Sequence, residues 1–180
     1  MKKILMTIMC IMLVPAMTAC NSADNTPTEP QDISLSLSTA ENDKEYMQAS
    51  DISVFGLERA ENCTLSLEFT ENEKTDDGFT VSGTGTLNLN GEEYDFNIED
   101  QELLCIEASE ENTVYSGILD SAISMKNGEK QEISIDFTAD RNFSQAVATV
   151  SADGGYLFFG DVFDDYLEYF NMVLSQMADE

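Results

Sequence analysis

Thiols and carboxylates are the side chains in this sequence that could do chemistry. There are four cysteines and 35 aspartates and glutamates, but no histidine. The absence of histidine excludes serine–histidine and cysteine–histidine nucleophilic systems, and it excludes every zinc site that uses imidazole. Gly83-Thr84-Gly85 lacks the third glycine of a dinucleotide fingerprint, and no Walker loop or nucleophile elbow occurs in the sequence.

Carboxylates alone could supply acid–base catalysis, as a pair of them does in glycosidases. Only Asp136 has apolar neighbours, and strand alternation places it on a polar face. We therefore predict that the chain is not an enzyme and uses no cofactor.

Calcium binding by acidic turns stays open. Residues 71–78 (ENEKTDDG) hold four carboxylates and residues 161–165 hold three, and Ca²⁺ prefers such oxygen ligands. However, the spacing in residues 71–78 is not that of an EF-hand, and Lys74 lies among the carboxylates. The favoured interpretation is a solvated turn without a metal.

The first twenty residues have the features of an export signal. Lys2 and Lys3 precede an uncharged apolar run at residues 4–17, and Met17-Thr18-Ala19-Cys20 brings small residues up to a cysteine. These last four residues resemble the lipobox of bacterial lipoproteins, a resemblance confined to residues 1–20. It implies cleavage after Ala19 and attachment of acyl chains such as palmitate to Cys20. The protein would then be anchored to the cell membrane through this lipid, on the extracytoplasmic face.

Two alternatives to this interpretation remain. An ordinary secretory signal would also be cleaved after Ala19 but would leave no lipid. An uncleaved anchor would keep residues 4–17, which are fewer than the ~20 residues needed to span a bilayer. Met17 stands where the lipobox most often has leucine.

The predicted organisation has three parts. Residues 1–19 form the signal peptide. Residues 20–31 (CNSADNTPTEPQ) form the lipidated Cys20 and a flexible tether, because they are polar, contain two prolines and show no apolar periodicity. Residues 32–180 form a single acidic domain, a length that suits one hydrophobic core.

The charge of the chain limits its partners. The formal net charge is −27 at pH 7, with eight lysines and arginines against 35 acids. A surface of this kind has no basic stripe with which to bind nucleic acid, and it is repelled by anionic lipid headgroups. We expect a soluble monomeric domain with an unidentified ligand or protein partner.

Cys63 and Cys105 are the cysteines left to the domain. Disulfides persist in exported proteins, and both residues lie in apolar stretches, so a disulfide between them is possible. The alternative is two buried thiols that act as small hydrophobic side chains.

Alternation of apolar and polar residues predicts strands over most of the domain. Residues 33–37, 63–69, 79–89, 94–98, 114–125, 133–137, 143–150 and 156–159 show this pattern, and residues 52–57 are a further short candidate. Asn90-Gly91, Asn127-Gly128 and Asp153-Gly154 are hairpin turns between these strands. Gly83 and Gly85 fall on the inward face, where glycines mark a bend or bulge.

The periodicity changes after Gly160. Apolar residues recur at three- and four-residue spacing, which predicts an amphipathic helix over about residues 161–178 with Asp161 as its N-cap. The stripe that contains Phe163, Leu167, Phe170 and Leu174 is expected to be core.

The sequence therefore predicts a mainly β protein, an antiparallel hairpin meander that forms a barrel or a strongly curved sheet, with one C-terminal amphipathic helix. This element order resembles that of lipocalin-like (calycin) barrels. The alternative is a two-sheet sandwich capped by the helix. The functional hypothesis is a membrane-anchored, non-catalytic binding module for an apolar ligand or a protein partner, with Phe79, Tyr94 and Phe96 lining the site. The alternative is a structural or accessory envelope lipoprotein without a small-molecule ligand.

Overall fold

The computed structural model describes residues 32–39, 51–58, 60, 62–109, 112–125 and 128–178. The predicted signal peptide, Cys20 and the tether lie outside these residues. Asn127 of the second predicted turn lies outside them too.

The described chain forms one eight-stranded antiparallel sheet in which each strand pairs with its neighbours in sequence. The strands are β1 (Asp32–Ser38), β2 (Thr64–Lys74), β3 (Gly78–Leu89), β4 (Glu92–Glu107), β5 (Thr113–Ser124), β6 (Lys130–Asp140), β7 (Ala146–Ala152) and β8 (Gly155–Phe159), and helix α1 (Asp164–Ala178) follows them. The sheet curls into a half-barrel. The predicted meander is confirmed, and the two-sheet sandwich is not formed.

Among the described residues, one isolated β-bridge joins the two edges of the sheet. Thr39, just after β1, forms an isolated bridge with Phe159 of β8. Next to it, the backbone N–H of Gly160 donates a hydrogen bond to the carbonyl of Ser38, 2.8 Å away. The curl therefore brings the first and last strands together without a continuous ladder between them.

Local irregularities produce the curl. The β3–β4 register shifts between Val81 and Gly83, where Asp100 adopts a left-handed conformation with φ of 51° and its N–H donates to Ser82 Oγ at 2.9 Å. A bulge of this kind bends the strand and increases its twist. The ring of Phe96 lies over Gly85, where a Cβ would come within 2.1 Å of Phe96 Cζ. The bend predicted from the two glycines agrees with this arrangement.

The main core fills the concave face of the sheet. All the largest fully buried side chains lie there: Leu65, Leu67, Val81, Leu87, Ile98, Leu103, Leu119, Ile123, Ile135, Phe137, Leu157 and Phe159. They come from the inward-facing positions of six strands, β2 to β6 and β8, as the period of two requires.

Residues 52–57 do not form the predicted strand. Ile52–Phe55 is a short 3₁₀ helix that ends at Gly56, which is left-handed with φ of 72°. Phe55 is buried in the main core, and the side-chain amide of Gln131 donates to the carbonyl of Val54 at 3.2 Å. The segment therefore packs against the sheet as a plug rather than extending it.

Helix α1 packs on the convex face. Together with Val162 and Phe163, which precede it, α1 covers a second, smaller apolar cluster of sheet residues: Leu104, Ile106, Val114, Val147 and Phe158. The helix begins at Asp164 rather than Asp161, and the carbonyl of Phe163 accepts the N–H of Leu167 at 3.1 Å.

The predicted core stripe of the helix is only partly correct. Phe163 and Tyr169 are buried, Leu167 and Phe170 are half-buried, and Leu174 is 47% exposed. The helix meets the sheet with its Tyr169 side, which turns Leu174 toward solvent.

Candidate functional site

The concave face holds no open lumen among the described residues, because its side chains fill it. Phe79, predicted to line a ligand site, packs instead against the rings of Tyr115 and Phe143 at centroid distances of 5.0 and 6.1 Å. Phe96, also predicted to line it, is 4% exposed and lies against Gly85. The predicted ligand site would therefore have to lie at an end of the sheet or on its outer surface.

A partly open cavity of about 500 Å³ lies at the end of the sheet next to the β3–β4 hairpin. Its walls combine apolar side chains with two carboxylates and an amide: Phe55, Gly56, Leu57, Glu58, Leu89, Asn90, Glu92, Tyr94 and Met125. We call it the end cavity. Of the three predicted lining residues, Tyr94 lies in it. Its volume falls in the usual range of small-molecule sites.

Turn chemistry positions one wall of the end cavity. Asn90 and Gly91 have φ of 54° and 94°, the two positive values of a type I′ hairpin turn, and the N–H of Gly91 donates to Asn88 Oδ1 at 2.8 Å. Just beyond the turn, Tyr94 Oη donates to Glu92 Oε2 at 2.9 Å. This bond fixes a carboxylate beside an aromatic ring.

The 3₁₀ plug contributes a further part of the lining. Phe55 is held in the core at 2% exposure, and Leu57 and Glu58, which follow it in the chain, also line the end cavity. This part of the lining was not predicted, because residues 52–57 were assigned to a strand. A lining of apolar side chains and carboxylates suits an amphipathic group that carries a positive charge or hydrogen-bond donors.

The structure places Cys63 and Cys105 far apart, and both side chains are thiols. Cys63 lies near Asn90, at the end of β3, and its Sγ donates to Asn90 Oδ1 at 3.5 Å. The N–H of Cys105 donates to the carbonyl of Asp77 at the start of β3, 2.7 Å away. Because β3 has 12 residues and a strand rises ~3.3 Å per residue, the thiols are separated by far more than the ~7 Å that a disulfide allows. The possible disulfide is not formed.

Cys63 is fully buried. Burial raises the pKa of its thiol, and the hydrogen bond with Asn90 offsets part of the rise. The thiol is therefore protonated at neutral pH and is a poor nucleophile.

A second cavity of about 420 Å³ lies between β4 and β5, and it is polar. The ladder between these strands covers only Leu104–Glu107 and Thr113–Ser116. Farther along, side chains bridge the gap: Ser121 Oγ donates to the carbonyl of Asn97 at 2.7 Å, and the N–H of Asp120 donates to Gln101 Oε1 at 3.4 Å.

The described residues contain no cluster of three or more carboxylates or thiols placed to hold a metal ion. Much of the acidic stretch at residues 71–78 belongs to strand β2, which extends to Lys74. There the N–H of Glu73 donates to Thr80 Oγ1 at 3.3 Å. The stretch is therefore largely a strand end rather than a ligand loop.

A polar cluster lies beneath α1 on the convex face. Ser116 Oγ and Thr138 Oγ1 are 3.0 Å apart, and Ser116 Oγ donates to Tyr169 Oη at 3.4 Å. Burial raises the pKa of Tyr169; the hydrogen bond with Ser116 opposes this rise, and the charge of Asp136 adds to it. Burial also raises the pKa of Asp136 from 3.8 to about 6. Strand alternation predicted Asp136 on the polar face, but its proximity to Tyr169 of α1 depends on packing that alternation does not reveal.

We expect Asp136 to make folding less favourable as the pH rises. The pKa of Asp136 is higher in the folded state. The stability that the protonated side chain contributes is therefore fully present below pH 3.8 and is lost as the pH rises through about 6. Asp136→Asn should then raise the free energy of unfolding at pH 7 by about 1–2 kcal/mol, a value reduced from the full shift because the residue is half-buried. Urea unfolding of both proteins at pH 4 and pH 7 measures the difference.

The matched control is Glu132→Gln, an exposed acid on the same strand. Glu132→Gln should have a similarly small effect on the free energy of unfolding at pH 4 and at pH 7. Equal unfolding midpoints for Asp136→Asn and the unmodified protein at pH 7 would contradict the assignment.

Comparison with known proteins identifies no relative: no family model, no curated protein and no solved structure matches the chain. Within the described residues, no helix has the length and apolar character needed to cross a membrane. Function is therefore inferred from the chain's own residues.

Proposed function

We propose that the chain is a lipid-anchored extracytoplasmic lipoprotein whose β-domain is a non-catalytic binding module. The end cavity carries this proposal, because its lining combines apolar side chains with a carboxylate that accepts a hydrogen bond from Tyr94. The apolar side chains would contact an apolar group of a small molecule or of a protein side chain. Glu58 and Glu92 in the lining would favour ligands with donors or positive charge.

The anchoring half of the proposal rests on the sequence before Cys20. Two or more acyl chains hold a protein stably at a bilayer, whereas one gives marginal binding. A tether of about eleven residues would keep Asp32, at the start of β1, within roughly 20 Å of the lipid surface.

We expect Cys20→Ala to move the protein from the membrane fraction to the soluble fraction. Intact mass spectrometry of the membrane-extracted protein should show an acylated Cys20 as the N-terminal residue. Cys105→Ala is the control, since it removes a half-buried thiol and should leave the protein in the membrane fraction. An unmodified N-terminus on a protein that remains membrane-bound would refute lipidation.

The end cavity is tested with N-phenyl-1-naphthylamine, a neutral fluorescent probe that the acidic surface does not repel. We expect saturable binding at micromolar concentrations. Leu57→Ser should weaken binding roughly tenfold, because it removes apolar contact area from the cavity. Ile118→Ser is the control, because Ile118 is 45% exposed on the convex face and does not line the cavity.

An alternative is an accessory envelope protein without a small-molecule ligand. The filled concave face favours it, since its inward side chains leave little room for a guest. Absent or non-saturable probe binding, or equal binding by Leu57→Ser and the unmodified protein, would support this alternative over the binding module.

A further inference from the structure

Helix α1 carries two apolar stripes, and the sheet uses only one of them. Tyr169, Met172 and Val173 lie on the side that packs against the convex-face cluster. Leu167, Phe170, Leu174 and Met177 lie about 120° farther around the helix, given 100° per residue. We call these four residues the ridge.

The ridge is largely in contact with solvent. Leu174 is 47% and Met177 is 45% exposed, while Leu167 is half-buried and Phe170 stacks on Tyr166 at a centroid distance of 6.0 Å. Among the described residues, the exposed large hydrophobic side chains are Ile118, Leu174 and Met177, so two of the three belong to one helical stripe. Contiguous exposed apolar residues of this kind mark interaction sites.

The spacing of the ridge fits a helical partner. Its members are separated by three, four and three residues, the pattern with which amphipathic helices pack side by side. A 15-residue helix offers about four turns for such packing.

Charge determines which partner can approach the ridge. The chain has a net charge of −27, so a second copy brings like charge and an anionic lipid surface is repelled. Asp164 and Asp165 add negative charge in the first turn of α1, and the last turn has no basic residue. A partner with positive charge on its polar face is attracted to the domain, which is strongly acidic as a whole.

We propose that the ridge docks a cationic amphipathic helix of a partner protein. The partner's apolar stripe packs against Leu167, Phe170, Leu174 and Met177, and its lysines or arginines are attracted by the net negative charge of the domain. This surface is separate from the end cavity, so either proposal can fail without the other.

The test uses three synthetic 18-residue peptides and the full domain. The first has a leucine stripe at helical spacing with lysines on its other face. The second keeps the lysines but replaces the leucines with glutamine, and the third keeps the leucines but replaces the lysines with glutamate. Fluorescence anisotropy of each labelled peptide measures binding at 0.15 M salt.

We expect micromolar binding of the first peptide and at least tenfold weaker binding of the other two. Leu174→Gln with Met177→Gln should weaken binding of the first peptide at least tenfold, since both positions are exposed and the fold is preserved. Ile118→Gln, which changes an equally exposed residue outside the ridge, should leave it unchanged. Chemical shift changes in an NMR titration should map to α1.

Four outcomes would overturn the proposal. Equal binding of the leucine–lysine and glutamine–lysine peptides would mean that charge alone attracts them. Tighter binding of the leucine–glutamate peptide than of the leucine–lysine peptide would contradict the predicted positive charge of the partner. Unchanged binding by the ridge variant would place the site elsewhere. Self-association of the domain that Leu174→Gln abolishes would make a second copy the occupant.

Discussion

Truncation after Gly160, which removes α1, is expected to lower the free energy of unfolding by roughly 5 kcal/mol or more. The helix segment buries Phe163 and Tyr169, and it covers Val114, Val147 and Phe158 on the sheet. Each such side chain contributes about 1 kcal/mol or more, taking a lower bound for partial re-exposure. A loss of this size approaches the whole stability of many domains.

Urea unfolding followed by near-UV circular dichroism measures this loss. The control is Leu174→Gln with Met177→Gln, which alters the exposed ridge and leaves the packed side intact, so we expect a change below about 0.5 kcal/mol. A truncated chain that unfolds at the same urea concentration as the full domain would show that packing of α1 on the convex face does not contribute to stability.

Gly83→Ala is expected to destabilise the protein by about 3–5 kcal/mol or to prevent folding. A Cβ at Gly83 would lie 2.0 Å from the carbonyl oxygen of Glu68 and 2.6 Å from Cα of Phe69. Both atoms belong to the backbone of β2, which cannot move without disturbing the ladder on both sides. Overpacking against fixed atoms is among the more costly substitutions in a protein core.

The neighbours of Gly83 provide matched controls in the same strand. Thr84→Ala changes an exposed residue and should cost less than 1 kcal/mol. Gly85→Ala brings its Cβ against the ring of Phe96, so adding Phe96→Leu should recover stability. The same Phe96→Leu change should not rescue Gly83→Ala. Thermal unfolding by differential scanning calorimetry ranks the variants, and equal stabilities for Gly83→Ala and Thr84→Ala would contradict the close contact.

Local patterns were enough to predict the sheet. Alternation identified the strands, and the Asn90-Gly91 turn fixed a hairpin because its two residues adopt positive φ readily. Residues 52–57 were assigned wrongly because a short apolar run has no period that separates a strand from a 3₁₀ turn. The buried Phe55 and the left-handed Gly56 decide that conformation through contacts with distant strands.

The candidate site depended on long-range packing that the sequence does not display. The end cavity joins Leu57 from the plug, Leu89 and Tyr94 from one hairpin and Met125 from the end of β5. In α1, Leu174 and Val173 both obey helical spacing, so periodicity alone could not tell which stripe would meet the sheet. That choice follows from the position of the apolar patch on the convex face.

The strict chain order of the strands has a kinetic consequence. Each strand from β2 to β8 pairs with the strand just before it. From β2 onward, two to five residues connect neighbouring strands, so these pairings close short loops first, which favours rapid folding. Pairs distant in sequence include β1 with β2, the Thr39–Phe159 bridge, the 3₁₀ plug with β8, and α1 with β5 and β6. The six hairpins from β2 to β8 can therefore form one at a time, and the bridge between the two edges of the sheet forms only when the last strand is in place.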